Sequence, residues 1–173
     1  MTQHQESELA TASAIDSEID NVYIVNWGDF TRWCLYGNPA TVTTAVQVTT
    51  AKAGWYTDHF TTWSFEPDGA GYVEIKHDHT GSYATATGTA TDALVQVKPR
   101  QGNIDQKWRV QRHGSGRDSY LTLNPKVNED LSAAAGSPFS PPWYGNLVLR
   151  ARARNEWPCY QFVLLPPEHQ NVA

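Results

Sequence analysis

The sequence predicts an all-β domain made of three copies of one four-stranded unit. Three observations carry this: a recurring tyrosine strand, a recurring aliphatic strand, and a closing aromatic strand, each repeated at about fifty residues. Val22-Tyr23-Ile24-Val25, Tyr72-Val73-Glu74-Ile75 and Tyr120-Leu121-Thr122-Leu123 alternate with the period of two that a strand imposes. Their tyrosines lie 49 and 48 positions apart. Ala45-Val46-Gln47-Val48 and Leu94-Val95-Gln96-Val97 repeat at 49, with Leu147-Val148-Leu149 in the third place.

Each unit closes on an aromatic: Thr62-Trp63-Ser64-Phe65, Lys107-Trp108-Arg109-Val110 and Gln161-Phe162-Val163-Leu164. The last interval is the longer one because Ser-Pro-Phe-Ser-Pro-Pro-Trp-Tyr intervenes between Gly136 and Gly145. Proline cannot donate to a ladder, so that stretch reads as loop. A further strand is expected in each unit around Trp33–Leu35, Tyr83–Thr85 and Leu131–Ala133. Three units of four strands is the arithmetic of a β-trefoil, a six-stranded barrel with a cap of three hairpins. One unit cannot bury its apolar face alone, so the three must share a core. The expected limits are 21–165 for the domain, with repeats at about 21–69, 70–117 and 118–165. Residues 1–20 read as a tail or short helix, with Ser7 to Ile19 as the helix candidate, and 166–173 as a second tail.

Composition supports the same class. Thr, Val, Tyr and Trp are frequent, a strand-favouring set, and 173 residues can build a core that is stable unaided. A net charge of −5 argues against general nucleic-acid binding, which depends on basic patches. Arg150, Arg152 and Arg154 alternate as the outer face of a strand does. No signal peptide or membrane-length apolar run is evident, so the expected location is cytoplasmic, or outside by export without a signal peptide. Cys34 and Cys159 are too few for a disulfide scaffold and are expected as free thiols. No cofactor is implied. His77 and His79 lack a third ligand for a metal site, and no nucleophile or phosphate-loop motif points to an enzyme.

The second unit carries a more specific signal. Gly81-Ser82-Tyr83, Leu94-Val95-Gln96-Val97 and Asn103-Ile104-Asp105-Gln106-Lys107-Trp108 together resemble a repeat of the ricin-B-type, fungal-lectin-like β-trefoil family, whose mark is a closing Gln-x-Trp. The other copies keep less of it: Thr61-Thr62-Trp63 retains the Trp and Tyr160-Gln161-Phe162 an aromatic. The resemblance implies a structural role for Trp63, Trp108 and Phe162 and a sugar pocket in each unit. In such a pocket an acidic residue of the second strand and an aromatic past the third would hold the sugar. Counting along the chain puts these positions at Tyr36, Thr85 and Ala133, and at Thr49, Lys98 and Ala151. None of the first three is acidic and none of the second three is aromatic, so any sugar must be held differently.

Three loops carry the chemistry for that, an aromatic face beside orientable polar groups. Trp55, Tyr56 and His59 lie in the first. Asn103 and Asp105 lie in the second. Trp143, Tyr144, Asn146 and Asn155 belong to the third. The expected function is recognition of glycans or glycoproteins through one or two of the units, without insertion into membranes; a homodimer is compatible with the sequence. The alternative is a β-trefoil protease inhibitor, for which the stiff loop Ser137 to Tyr144 would be suited because it loses little entropy on binding.

Overall fold

The structure is a computed structural model, and it describes residues 13–15, 17–26, 31–35, 44–50, 62–135, 145–151 and 160–165. Thirteen strands run in chain order: β1 (Ser13–Ala14), β2 (Ile19–Asn26), β3 (Thr31–Leu35), β4 (Thr44–Thr50), β5 (Trp63–Pro67), β6 (Val73–His77) and β7 (Tyr83–Ala86). They continue with β8 (Val95–Lys98), β9 (Trp108–His113), β10 (Tyr120–Pro125), β11 (Leu131–Ala135), β12 (Gly145–Ala151) and β13 (Phe162–Leu165). Every strand expected from the repeat is present.

Six of them close a barrel. β2 pairs with β5, β5 with β6, β6 with β9, β9 with β10, β10 with β13, and β13 returns to β2. These are the first and last strands of the three units. The remaining strands form the hairpins β3–β4, β7–β8 and β11–β12. β4 pairs with both β8 and β12, and Leu94 bridges Val148, which gathers the hairpins into one cap. The architecture is a β-trefoil.

The closing aromatics set its register. Trp63 faces Val22, Trp108 faces Val73, and Phe162 faces Leu121. On their other side they face His77, Pro125 and Asn26. By this pairing Tyr72 and Tyr120 are equivalent to Asn21, and Tyr23 to Glu74 and Thr122. The tyrosine alignment is therefore two residues out in the first unit. A slip of two keeps every side chain on its own face, so the hydrophobic pattern cannot reveal it. The irregularity lies between Ile19 and Val22, where Asn21 takes a positive φ of 53°.

All three closing aromatics are fully enclosed, as expected of core residues. The indole of Trp63 donates to Trp33 O (3.2 Å) and that of Trp108 to Ala84 O (3.0 Å), so neither loses its polar bond on burial. Trp33 stands edge-on to Trp63 and to Phe162, with ring centroids at 5.8 and 5.6 Å. Its counterparts in the other hairpins are Ala84 and Ala133. One large ring and two methyl groups thus fill the space between the units, which breaks the threefold symmetry.

Ser13, Ala14 and Ile19 are strand where the sequence offered a helix. β1 adds to β9 by pairing Ser13 with Arg112 and Ala14 with Gln111, and the Ile15 amide bonds Val110 O. The barrel edge satisfies these backbone groups, and Ile15 and Ile19 pack against the core. Units two and three are joined by a polar seam: Tyr72 donates to Glu129, and Arg109 bonds both the Tyr72 hydroxyl (2.8 Å) and Glu129. Lys126 and Arg109 each lie over the Tyr72 ring, 4.4 and 4.7 Å from its centroid.

Candidate functional site

The hairpin registers correct the pocket positions counted along the chain. Thr85 pairs with Gln96, Cys34 with Gln47 and Ala134 with Val148, so the second-strand position is Cys34, Thr85 and Ala134. Lys98 pairs with Tyr83, Thr49 with Arg32 and Arg150 with Ser132, so the position past the third strand is Thr49, Lys98 and Arg150. Counting fails because the loops differ in length, whereas cross-strand hydrogen bonds fix equivalence. The corrected positions still hold no acid and no aromatic, and two of them are basic. Arg150 is engaged by Asp92 at 2.7 Å.

Unit two is the most completely described. Its last strand is preceded by a single 3-10 turn, Ile104–Gln106, entered from Asn103 in an extended conformation. Gln106 is wholly buried and fastens this turn to the hairpin beside it. Its Oε1 accepts from the Gln101 amide (2.7 Å), and its Nε2 donates to Pro99 O (2.8 Å) and to Thr85 Oγ1 (3.2 Å). The Gln of Gln-x-Trp thus spends its amide on the fold and is not free to hold a ligand.

The three residues before it are placed differently. Asn103 is exposed, and its Nδ2 reaches only Gln101 Oε1, at 3.3 Å. Asp105 is half-buried, and its Oδ1 is enclosed without a hydrogen-bond partner. An ionised carboxylate accepts several bonds, and leaving one oxygen unmatched out of water is costly. Between them Ile104 is 54% exposed, a large apolar side chain open to solvent. A carboxylate acceptor, an amide that both donates and accepts, and an apolar surface are here carried by three successive residues.

Trp55, Tyr56, His59, Trp143, Tyr144 and Asn155 lie outside the described residues, as do Arg152, Arg154 and Cys159. Asn146 is in β12, its backbone opposite Gln47 of β4. That pairing has a consequence for the loops: Gly145 faces Val48, so the segment after Thr50 and the segment before Gly145 depart from the same edge of the cap. Neighbouring strands are about 4.8 Å apart. The end of β4 and the start of β12, which adjoin the aromatic-rich segments of units one and three in sequence, are therefore side by side.

The histidine pair separates. His77 ends β6 in the core, packed against Trp63 with ring centroids 4.9 Å apart, while His79 is exposed in the turn that Gly81 closes with a φ of 69°. No group of three metal-binding side chains occurs among the described residues. Nor, among them, is any helix long and apolar enough to cross a membrane.

The fold is a β-trefoil, and its second unit closes on a Gln-x-Trp. Residues 61–138, the second unit and the start of the third, match the family described as ricin-type beta-trefoil lectin domain-like. Comparison with curated protein sequences finds no match. Among solved structures, the designed threefold-symmetric protein ThreeFoil is similar at a TM-score of 0.71 and 16% identity, over 84% of this chain and 97% of that one. The Polyporus squamosus lectin, solved bound to the human-type influenza-binding epitope Neu5Aca2-6Galb1-4GlcNAc, is similar at 0.64 and 17%, over 84% of this chain and 48% of that one. The Haemophilus ducreyi cytolethal distending toxin is similar at 0.69 and 11%, over 89% and 87%. At these identities the structures share the fold.

Proposed function

We infer that this chain is a non-catalytic carbohydrate-binding protein whose glycan sites have moved off the second and third strands onto the loops. The observation that carries the reading is the half-buried carboxylate of Asp105 on the same turn as exposed Asn103 and Ile104. Sugar hydroxyls donate to carboxylate and amide oxygens, and the C–H face of a pyranose covers an apolar side chain. The ricin-type match over this segment supports the same ligand class.

A second site draws on both aromatic loops. Trp55, Tyr56 and His59 belong to one, Trp143 and Tyr144 to the other, with Asn146 at the root and Asn155 beyond. The adjoining roots at Val48 and Gly145 support one shared face in place of two separate pockets. Glycans or glycoproteins are the partners; catalysis and cofactors have no part in this reading.

A glycan array followed by calorimetry on the strongest hit tests it. Asp105→Asn should weaken that hit or a second one at least tenfold while the melting curve is retained. Binding of no glycan, together with inhibition of a protease in a parallel panel, would replace this reading with the inhibitor.

A further inference from the structure

A groove of about 420 Å³ lies away from the hairpin cap, at the base of the barrel. It runs over β9, β10, β13 and β2, and Ile15 and Ile19 also line it. Its floor is apolar, with Val22, Leu121, Phe162 and Leu164 among the lining residues. The β9–β10 hairpin contributes Arg112 and Arg117, both exposed and outside the ion pairs of the described residues. No carboxylate lines the groove among the described residues. Two cations therefore gather at one end of an apolar trough, on a chain whose net charge is −5.

Local positive charge on an acidic protein selects an anion, and an apolar trough selects a chain. Across three strand spacings the trough spans about 14 Å, the reach of a medium-length acyl chain. A hydroxyl-rich sugar would leave its polar groups unmatched on that floor. We propose that the groove binds one monomeric medium-chain carboxylate, its headgroup on Arg112 and Arg117 and its alkyl chain along the partly buried Ile15, Ile19 and Leu164. Guanidinium groups hold a carboxylate through two parallel bonds, which gives the headgroup its preference. The site is independent of the glycan sites.

The test uses the full chain and laurate, below its micellar range, in calorimetry. Saturable binding to one site is expected. Dodecanol, with the same chain and no charge, should bind at least tenfold more weakly. The double variant Arg112→Gln, Arg117→Gln alters exposed positions and should lose laurate binding about tenfold without a change in melting or in glycan affinity. Leu164→Trp, which fills the trough, should abolish it. Three results overturn the proposal: no saturable laurate binding, equal affinity for dodecanol, or retention of laurate by the arginine variant. Binding to anionic phospholipid vesicles without binding of laurate, or a concentration-dependent dimer that Leu164→Trp dissolves while laurate fails to bind, would assign the groove to a membrane or to a second copy and would equally overturn it.

Discussion

Gln106 donates to Thr85 across 3.2 Å, joining the turn before the last strand of unit two to the hairpin of the same unit. With Trp108 two residues on, reaching Ala84 O, it stitches barrel to cap at one place. Neither residue is open to solvent, so the Gln-x-Trp motif works here as a fastening.

Truncating this fastening should unfold the protein before it affects ligand. Trp108→Ala is expected to lower stability by about 3–5 kcal/mol, the cost of deleting a buried large aromatic. Gln106→Ala strands the Gln101 amide and Pro99 O, for about 1–3 kcal/mol. Denaturant melts read both. A Trp108→Ala protein of wild-type stability that no longer bound glycan would reverse the assignment.

Symmetry should be harmful at Trp33. Because Ala84 and Ala133 are its counterparts, Ala84→Trp puts a second indole into space that the first already fills. Overpacking of this kind costs about 1–3 kcal/mol or more. A melting temperature at or above wild type would show that the centre has room.

Acid stability should depend on Asp68. Burial raises its carboxyl, but the amides of Ala70 and Tyr72 and the ammonium of Lys107 at 2.9 Å together hold it below the usual carboxylate value. A folded value below the unfolded one, about 3.9, contributes stability that is present above that pH. The contribution is lost as pH falls toward the folded value. Asp68→Asn should therefore be less stable than wild type near neutrality, and the gap should close below about pH 4. A gap that stays constant with pH would exclude an ionic origin.

Alkaline behaviour should report Tyr83. Burial, and then its hydrogen bond to Glu66 at 2.9 Å, push its phenol up to about 12. The folded value is raised above the unfolded one, about 10, so the stability it adds is whole below pH 10 and declines as pH rises through 12. Phenolate absorbance should show a late-titrating tyrosine that Tyr83→Phe removes.

The paired loop roots lead to the last expectation. If Trp55 and Trp143 serve one face, Trp55→Ala and Trp143→Ala should each cost most of the affinity for the shared glycan. The double variant should then lose little more, because coupled residues are non-additive. Two independent and additive losses would restore one pocket to each unit.

The strands, the threefold plan and the burial of Trp63, Trp108 and Phe162 were legible in the sequence. Period-two patterning is a local property, and a repeat makes each copy evidence for the others. The hydrophobic pattern also accommodates a shift of two residues without change of face, so Tyr23 aligned with Tyr72 although the barrel pairs Val22, Val73 and Leu121 with the closing aromatics. Asn103 and Asp105 were visible as candidates from their chemistry. That Gln106 would be consumed by the fold and Asp105 left with an unmatched oxygen was decided by how the turn docks on β7. Likewise, Ile15 and Ile19 fit a helix stripe, but the open side of β9 offered hydrogen bonds to Ser13 and Ala14, and the segment became strand. By itself the sequence determined which residues face inward; the tertiary structure decided which of them meet, because register and free hydrogen-bonding groups are settled between segments distant in the chain.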